Sequence, residues 1–277
     1  MDLTLLRAPD PAIRERLFAA IDGYNDATTG RTEPVRHLTI ALRDAAGAIE
    51  GGLVGVSYYD WLIVEMLFVP ERLRGQGLGA RLMRAAEAEA VRRGCRGVWL
   101  DTGSPAARAF YERIGYGVFA TLNDFPRGHT KWFHSRLAPR DDDTAGLEII
   151  EARDPAVARM VGGALTAVAD DLFGTEMGRE ALAVTAPQGG GLWMVARRDW
   201  LFLDLFVLPA EARRQGMGSR ILAMAEAAAR ARGCVGVWLD SYGFQAPGFY
   251  QRHGYEVIGV LPDYPAAHGR FFLAKRF

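Results

Sequence analysis

Two stretches decide how this chain folds: Arg74-Gly75-Gln76-Gly77-Leu78-Gly79 and Arg213-Arg214-Gln215-Gly216-Met217-Gly218, 139 residues further on (216 − 77). Each follows an apolar run and opens a long helical pattern. In the first, Leu78, Leu82, Ala85, Ala86 and Ala90 fall on one helical face, and Gly94 ends the helix. Backbone N–H groups at a helix start lack partners and carry the positive end of the helix dipole. Glycines let an anion approach them, and a flanking arginine adds a charge-assisted contact. Each turn therefore reads as a cradle for phosphate or pyrophosphate. The dinucleotide and Walker fingerprints do not fit, because the glycine spacing differs and no Gly-Lys-Ser/Thr follows.

The same offset holds on both sides of the turns. Trp99-Leu100-Asp101 recurs as Trp238-Leu239-Asp240, Phe110-Tyr111 as Phe249-Tyr250, and Gly115-Tyr116 as Gly254-Tyr255. From Trp61 to Phe133, about 30 of roughly 70 positions match without a gap, which marks a whole-domain duplication. Ala138 to Gly146 is polar, with proline and glycine near its ends. The expected division is a domain at 1–138, a linker at 139–146 and a domain at 147–277. Each copy reads as strands, a long helix, a strand, a short helix and two closing strands, an α/β unit with a mixed sheet. Only Tyr24–Glu50 against Asp170–Gly189 fails to align, which reads either as unlike substrate-facing surfaces or as neutral drift in loops.

Composition narrows the function. The chain has 277 residues, 49% hydrophobic and 24% charged, with a formal net charge of zero. No basic field would draw nucleic acid or an anionic membrane. No apolar run reaches the roughly 18 residues that span a bilayer, and no leader pattern is visible. Cys95 and Cys234 occupy matching positions in separate copies, so they read as packed, reduced thiols of a cytoplasmic protein. No Cys/His spacing suggests a metal.

With these motifs in view, the chain resembles the GNAT N-acetyltransferase superfamily in both copies, almost end to end. The family's Arg/Gln-x-x-Gly-x-Gly/Ala signature matches Arg74, Gly77 and Gly79, and Arg213, Gly216 and Gly218. Its Phe/Leu-Tyr pair, followed by Gly-Phe/Tyr, matches Phe110-Tyr111 with Gly115-Tyr116 and Phe249-Tyr250 with Gly254-Tyr255. The resemblance implies two tandem acyl-CoA N-acyltransferase domains, each a largely antiparallel mixed sheet flanked by helices. It implies acetyl-CoA as the acetyl donor and a primary amine, on a small molecule or peptide, as the acceptor. The amides of 75–80 (Gly75, Gln76, Gly77, Leu78, Gly79, Ala80) and of 214–219 (Arg214, Gln215, Gly216, Met217, Gly218, Ser219) would hold the pyrophosphate. Leu67, Phe68 and Val69, and Phe206, Val207 and Leu208, would run beside the pantetheine arm. An alternative is a coenzyme-binding module without turnover in one or both copies. The copies also depart from the pattern: the asparagine often found before the Phe-Tyr pair is Ser104 in one and Gly243 in the other, and Phe244-Gln245-Ala246 stands where copy one has Pro105-Ala106-Ala107.

Acetyl transfer needs a base for the amine and an acid for the departing thiolate. Tyr111 and Tyr250 fit the acid, since phenol and thiol have similar reference pKa values, about 10 and 8.5. Asp101 and Asp240, at the end of a buried strand, and Glu65 and Asp204, in the strand before the turn, are the candidate bases; Asp101 and Asp240 could instead cap the next helix. His129 and His268 lie in matching Asp-x-Pro-x-x-His segments and are expected to fix a loop, the alternative being a proton shuttle. Trp61, Trp99, Trp200 and Trp238 read as core.

Overall fold

Asp10-Pro11 and Asp154-Pro155 each start a 19-residue helix. The Asp10 carboxylate accepts from the amide of Ala12, and that of Asp154 from Ala156 and Val157; proline fits the first helical position because it has no N–H to leave unpaired. Gly30 closes the first helix and Gly174 the second. These are the first helices of the two sequence copies, and each leaves its own copy. The computed structural model describes residues 3–138, 147–174, 179–186 and 189–277. The expected linker at 139–146 lies outside them.

The first copy runs β1 (Thr4–Arg7), α1 (Pro11–Thr29), β2 (Arg36–Arg43), β3 (Ile49–Tyr58), β4 (Trp61–Phe68), α2 (Leu78–Arg92), β5 (Gly97–Thr102), α3 (Pro105–Arg113), β6 (Gly117–Asn123) and β7 (Thr130–Leu137). The second repeats it as β8 (Glu148–Ile150), α4 (Pro155–Phe173), β9 (Glu180–Thr185), β10 (Gly191–Arg197), β11 (Trp200–Val207), α5 (Met217–Ala231), β12 (Gly236–Tyr242), α6 (Pro247–Arg252), β13 (Glu256–Pro262) and β14 (Gly269–Arg276). All fourteen strands form one sheet, in the order β1-β9-β10-β11-β12-β14-β13-β6-β7-β5-β4-β3-β2-β8. Pairing is antiparallel except for β4 with β5 and β11 with β12.

The order shows a crossing. β1 pairs with β9 of the second copy, with Thr4 opposite Thr185, and β8 pairs with β2 of the first, with Thr39 opposite Ile150. The helices follow their strands. Leu17 of α1 is buried with Ala183, Trp193 and Leu205, whereas Val157 and Val161 of α4 are buried with Ala41 and Val54. Full burial of a valine stabilises by about 1.5–3 kcal/mol, so these contacts anchor the crossed helices. The sequence repeat and the spatial halves therefore divide the chain differently at 4–29 and 148–173.

The halves meet where β6 lies beside β13, with Ala120 opposite Gly259. A Cβ on Gly259 would stand 2.3 Å from that of Ala120, so only glycine permits this approach. The four repeated tryptophans are buried, as the sequence suggests, but in a core at this junction and not in two separate ones. Phe133 meets Trp238 at 5.9 Å between ring centroids and Trp99 meets Phe272 at 5.7 Å. Each Asp-x-Pro loop reaches across: the Trp61 indole donates to the Asp263 carbonyl at 3.0 Å and that of Trp200 to Asp124 at 2.5 Å. His129 and His268 close these loops through backbone bonds to Pro126 and Pro265. Among the described residues no helix is long and apolar enough to cross a membrane, and no cluster of His, Cys, Asp or Glu could hold a metal.

Candidate active sites

Each site begins where two parallel strands part. β4 and β5 pair from Trp61 and Gly97 as far as Val64 and Leu100, then part and run on to Phe68 and Thr102, each held only by its antiparallel neighbour, β3 or β7. β11 and β12 do the same, from Trp200 and Gly236 to Leu203 and Leu239. At the parting point each first strand carries a bulge. Val54 faces Met66 and Gly55 faces Val64, so Glu65 is the extra residue. Trp193 faces Leu205 and Met194 faces Leu203, so Asp204 is its counterpart. A bulge frees one residue from the ladder and re-aims its side chain, here toward the opening. Sequence alone placed both carboxylates in the strand but gave no sign of the bulge.

The glycine turns form the far wall. Gly77 and Gly216 have φ of 78° and 77°, in the left-handed region, and start α2 and α5. The first intrahelical bonds are Arg81 N to the Gly77 carbonyl and Arg220 N to that of Gly216. The amides of 78–80 and 217–219 precede them and have no helical partner. A Cβ on Gly75, Gly77 or Gly216 would meet nothing within 4 Å, so the space above each turn is open to an anion. Gly79 serves packing instead: its Cβ would lie 3.2 Å from the Phe110 ring. Arg74 and Arg213 each donate from Nε to the carbonyl ending the preceding strand, Val69 at 3.1 Å and Leu208 at 2.8 Å. Gln76 and Gln215 brace the turns through the carbonyls of Arg72 and Glu211 and line neither cleft; the Met217 side chain is buried beneath its turn. Arg214 takes φ of 60° where Gly75 takes 76°. The arginine that replaces a glycine thus holds a left-handed conformation that L side chains disfavour.

The two clefts have volumes of about 620 and 570 Å³. The first brings together Glu65, Asp101, Tyr111, the strand end Leu67–Val69 and the turn; the second Asp204, Asp240, Tyr250, Phe206–Leu208 and its turn. Tyr111 and Tyr250 are buried, which pushes both phenols above their ordinary value, with Asp101 and Asp240 adding to the rise. Each therefore keeps its proton at neutral pH. Asp101 pairs with Lys131 at 2.6 Å and Asp240 with Arg270 at 2.7 Å, cations from β7 and β14 that sit among aromatic rings. Neither aspartate caps a helix: the cap of α3 is Ser104, and the cap position of α6 is Ala246. Burial raises the Asp204 carboxyl, an effect that Arg14 opposes. Cys95 and Cys234 are buried free thiols outside both clefts; burial pushes Cys95 up to about 11.

Several residues of the site escaped the sequence reading. Glu65 pairs with Arg153, and Asp204 accepts from Arg14 Nε at 2.9 Å. Both arginines come from the opposite copy. They are not counterparts: Arg14 sits inside α1, whereas Arg153 precedes the cap of α4. Ile21 and Tyr24 of α1 line the second cleft, and Leu165 and Val168 of α4 the first. Measured from the capping aspartates, these are equivalent positions. His134 is fully buried beside Tyr111, 5.8 Å between ring centroids, and neither ring nitrogen finds a partner among the described residues. Burial lowers its pKa, and the second copy has Leu273 there. In the second cleft His253 Nε2 lies 2.9 Å from Ser219 Oγ; the first has Ile114 and Ala80. A lone histidine off the repeated motifs gave no signal.

The profile of the acetyltransferase (GNAT) family matches residues 5–116, and that of the acetyltransferase (GNAT) domain matches 164–257. An acetyltransferase of Agrobacterium fabrum is 40% identical over 129 residues, 46% of this chain and 90% of the relative. Blasticidin-S acetyltransferase of Streptomyces morookaense is 46% identical over 87 residues, 31% of this chain and 64% of that protein. A crystal structure from Agrobacterium tumefaciens is 34% identical, covering 50% of this chain and 99% of its own, with a TM-score of 0.47.

Proposed function

We propose, on the premise that the chain belongs to the GNAT acetyltransferase family, that it moves the acetyl group of acetyl-CoA to a primary amine on a small molecule, at two sites. The observation that carries this reading is the paired arrangement of parted strands, open glycine turn, bulged carboxylate and buried tyrosine, present in both halves. Coenzyme A supplies the acetyl group as a reactive thioester. The chain supplies the rest. The free amides of 78–80 and 217–219 hold the pyrophosphate. The unpaired edges of Leu67–Val69 and Phe206–Leu208 align the arm. Glu65 or Asp101 in the first cleft, and Asp204 or Asp240 in the second, receive the ammonium and take its proton. Tyr111 and Tyr250 hold a proton at Oη for the departing sulfur. The amine forms its N–C bond as the C–S bond breaks, and no covalent enzyme intermediate is needed. The likeness to blasticidin-S acetyltransferase supports a small-molecule acceptor.

The purified chain, mixed with acetyl-CoA and a broad panel of primary amines, should release free thiol with at least one of them; no release with any amine would sink the reading. A second reading, a coenzyme-binding module without turnover in the second copy, draws on Arg214 at φ 60°. Thiol release persisting in a Gly77→Glu variant would exclude it.

A further inference from the structure

Two helices of the same length and N-terminal capping each cover a cleft of the opposite copy, and one pair of their cleft-facing residues differs in kind. At equivalent positions α1 presents Ile21 and Tyr24, and α4 presents Leu165 and Val168. We propose that acceptor recognition is crossed between the halves. In this arrangement α4 makes the first cleft a receptor for an amine borne on an apolar group, and α1 makes the second a receptor for an amine borne on a polar, hydrogen-bonding body. The proposal rests on the acetyl-transfer reading for the chemistry, though not for the geometry.

α1 adds polar groups to the mouth and back of the second cleft, beside those that the second copy itself supplies. Asn25, 4% exposed, accepts from Gln245 Nε2 at 2.8 Å, and Gln245 in turn accepts from the Tyr242 amide at 2.9 Å. The Tyr24 hydroxyl lies 3.5 Å from the Phe244 carbonyl, and its ring lies under the Arg213 guanidinium at 5.2 Å. Arg14 holds Asp204. The first cleft keeps an arginine on its bulged carboxylate, Arg153 on Glu65, and Arg74 at its turn, but lacks the rest of this network. Ala169 stands for Asn25, Ala106 for Gln245 and Val168 for Tyr24. Gly162 of α4 faces β4, where a Cβ would lie in ordinary contact with Met66 Sδ at 3.5 Å. Phe173 of α4 covers Gly103, where a Cβ would stand 3.0 Å from its ring. Burying a hydroxyl-bearing acceptor against Leu165 and Val168 would leave its polar groups unpaired, which disfavours it there. A polar body in the second cleft finds Tyr24, Gln245 and Ser241 in reach of its own hydrogen bonds.

The test uses the full chain with two probes, hexylamine and glucosamine. Calorimetric titration into protein saturated with coenzyme A reads acceptor binding without turnover. Val168→Asn should weaken hexylamine binding about fivefold or more and leave glucosamine unchanged; Tyr24→Ala should do the reverse. Both positions are exposed at their cleft mouths, so the fold should survive, which circular dichroism would check. Thiol release from acetyl-CoA is then measured with one turn silenced. Tyr24→Ala should lower kcat/KM in a Gly77→Glu background, where only the second site works, and not in a Gly216→Glu background. Equal effects of each variant on both probes, or binding of neither probe, would overturn the chemical assignment. Variant effects confined to the helix's own copy would overturn the crossing while leaving acetyl transfer standing. Crossed effects on binding without any thiol release would keep the crossing and sink the transfer reading.

Discussion

The two clefts share a scaffold and differ in their walls. Both have parted strands, a bulge bearing a carboxylate, a turn with open glycines and a buried tyrosine. Around this frame, the first cleft has Leu165, Val168, Ala106, Ile114 and Ala80 where the second has Ile21, Tyr24, Gln245, His253 and Ser219. On the proposed reading, duplication kept the parts that would handle the coenzyme and altered those that would face the acceptor. Coenzyme contacts at the turns would be mainly backbone, which side-chain change does not remove. Acceptor contacts would be side chains, which it changes freely.

The comparison breaks first at the turns. Gly77→Glu or Gly216→Glu places a carboxylate, at a left-handed φ, in the open space above one turn. Coenzyme A titration of the intact chain should saturate at two per chain and each variant at one, with the altered site weakened about a hundredfold or more. Saturation of the intact chain at one would show that the copies are not equivalent even in their shared frame.

Tyr111→Phe and Tyr250→Phe ask whether the buried phenols act alike. Each should lower turnover at its own site about a hundredfold, with coenzyme affinity nearly intact, because the proton is needed only as sulfur departs. Full activity in the double variant would remove tyrosine from the mechanism. A loss at Tyr250 alone would turn attention to His134, which stands beside Tyr111 and has no counterpart beside Tyr250.

The crossing itself is probed by Leu17→Ala, which opens a cavity under α1 and should cost about 2–3 kcal/mol. Hydrogen exchange should quicken in β10 and β11 of the second copy, not in β3 and β4 that follow it in sequence. Faster exchange only in β3 and β4 would contradict the crossed packing.

The smallest effect sharpens the charge difference between the turns, Gly75 against Arg214. Arg214→Gly relieves a left-handed arginine and should raise stability by about 1 kcal/mol, read as a higher denaturant midpoint. Coenzyme binding at the second site should fall slightly, since a positive charge beside the phosphates is lost. Tighter binding would mean that Arg214 obstructs the turn.

What the sequence by itself determined is whatever repeats locally. The glycine turns, the Phe-Tyr pairs, the long helices with their glycine ends and the strand alternation all follow from short-range sterics and hydrogen bonding, and the duplication shows them twice. The pairing of Tyr111 with Asp101, and of Tyr250 with Asp240, in one cleft was legible because each pair is joined by the same strand, turn and helix. Only the tertiary structure decided which copy each first strand and helix would join. β1 adds to β9 and β8 to β2, and Leu17 and Val161 bury against the half that those strands join; antiparallel backbone bonds carry no side-chain identity that would choose between the two strand edges. A choice between two such similar surfaces depends on contacts far apart in sequence, so no local pattern records it. For the same reason Arg14 and Arg153, which meet the bulged carboxylates across 190 and 88 residues of chain, became part of the sites only once the chain had folded.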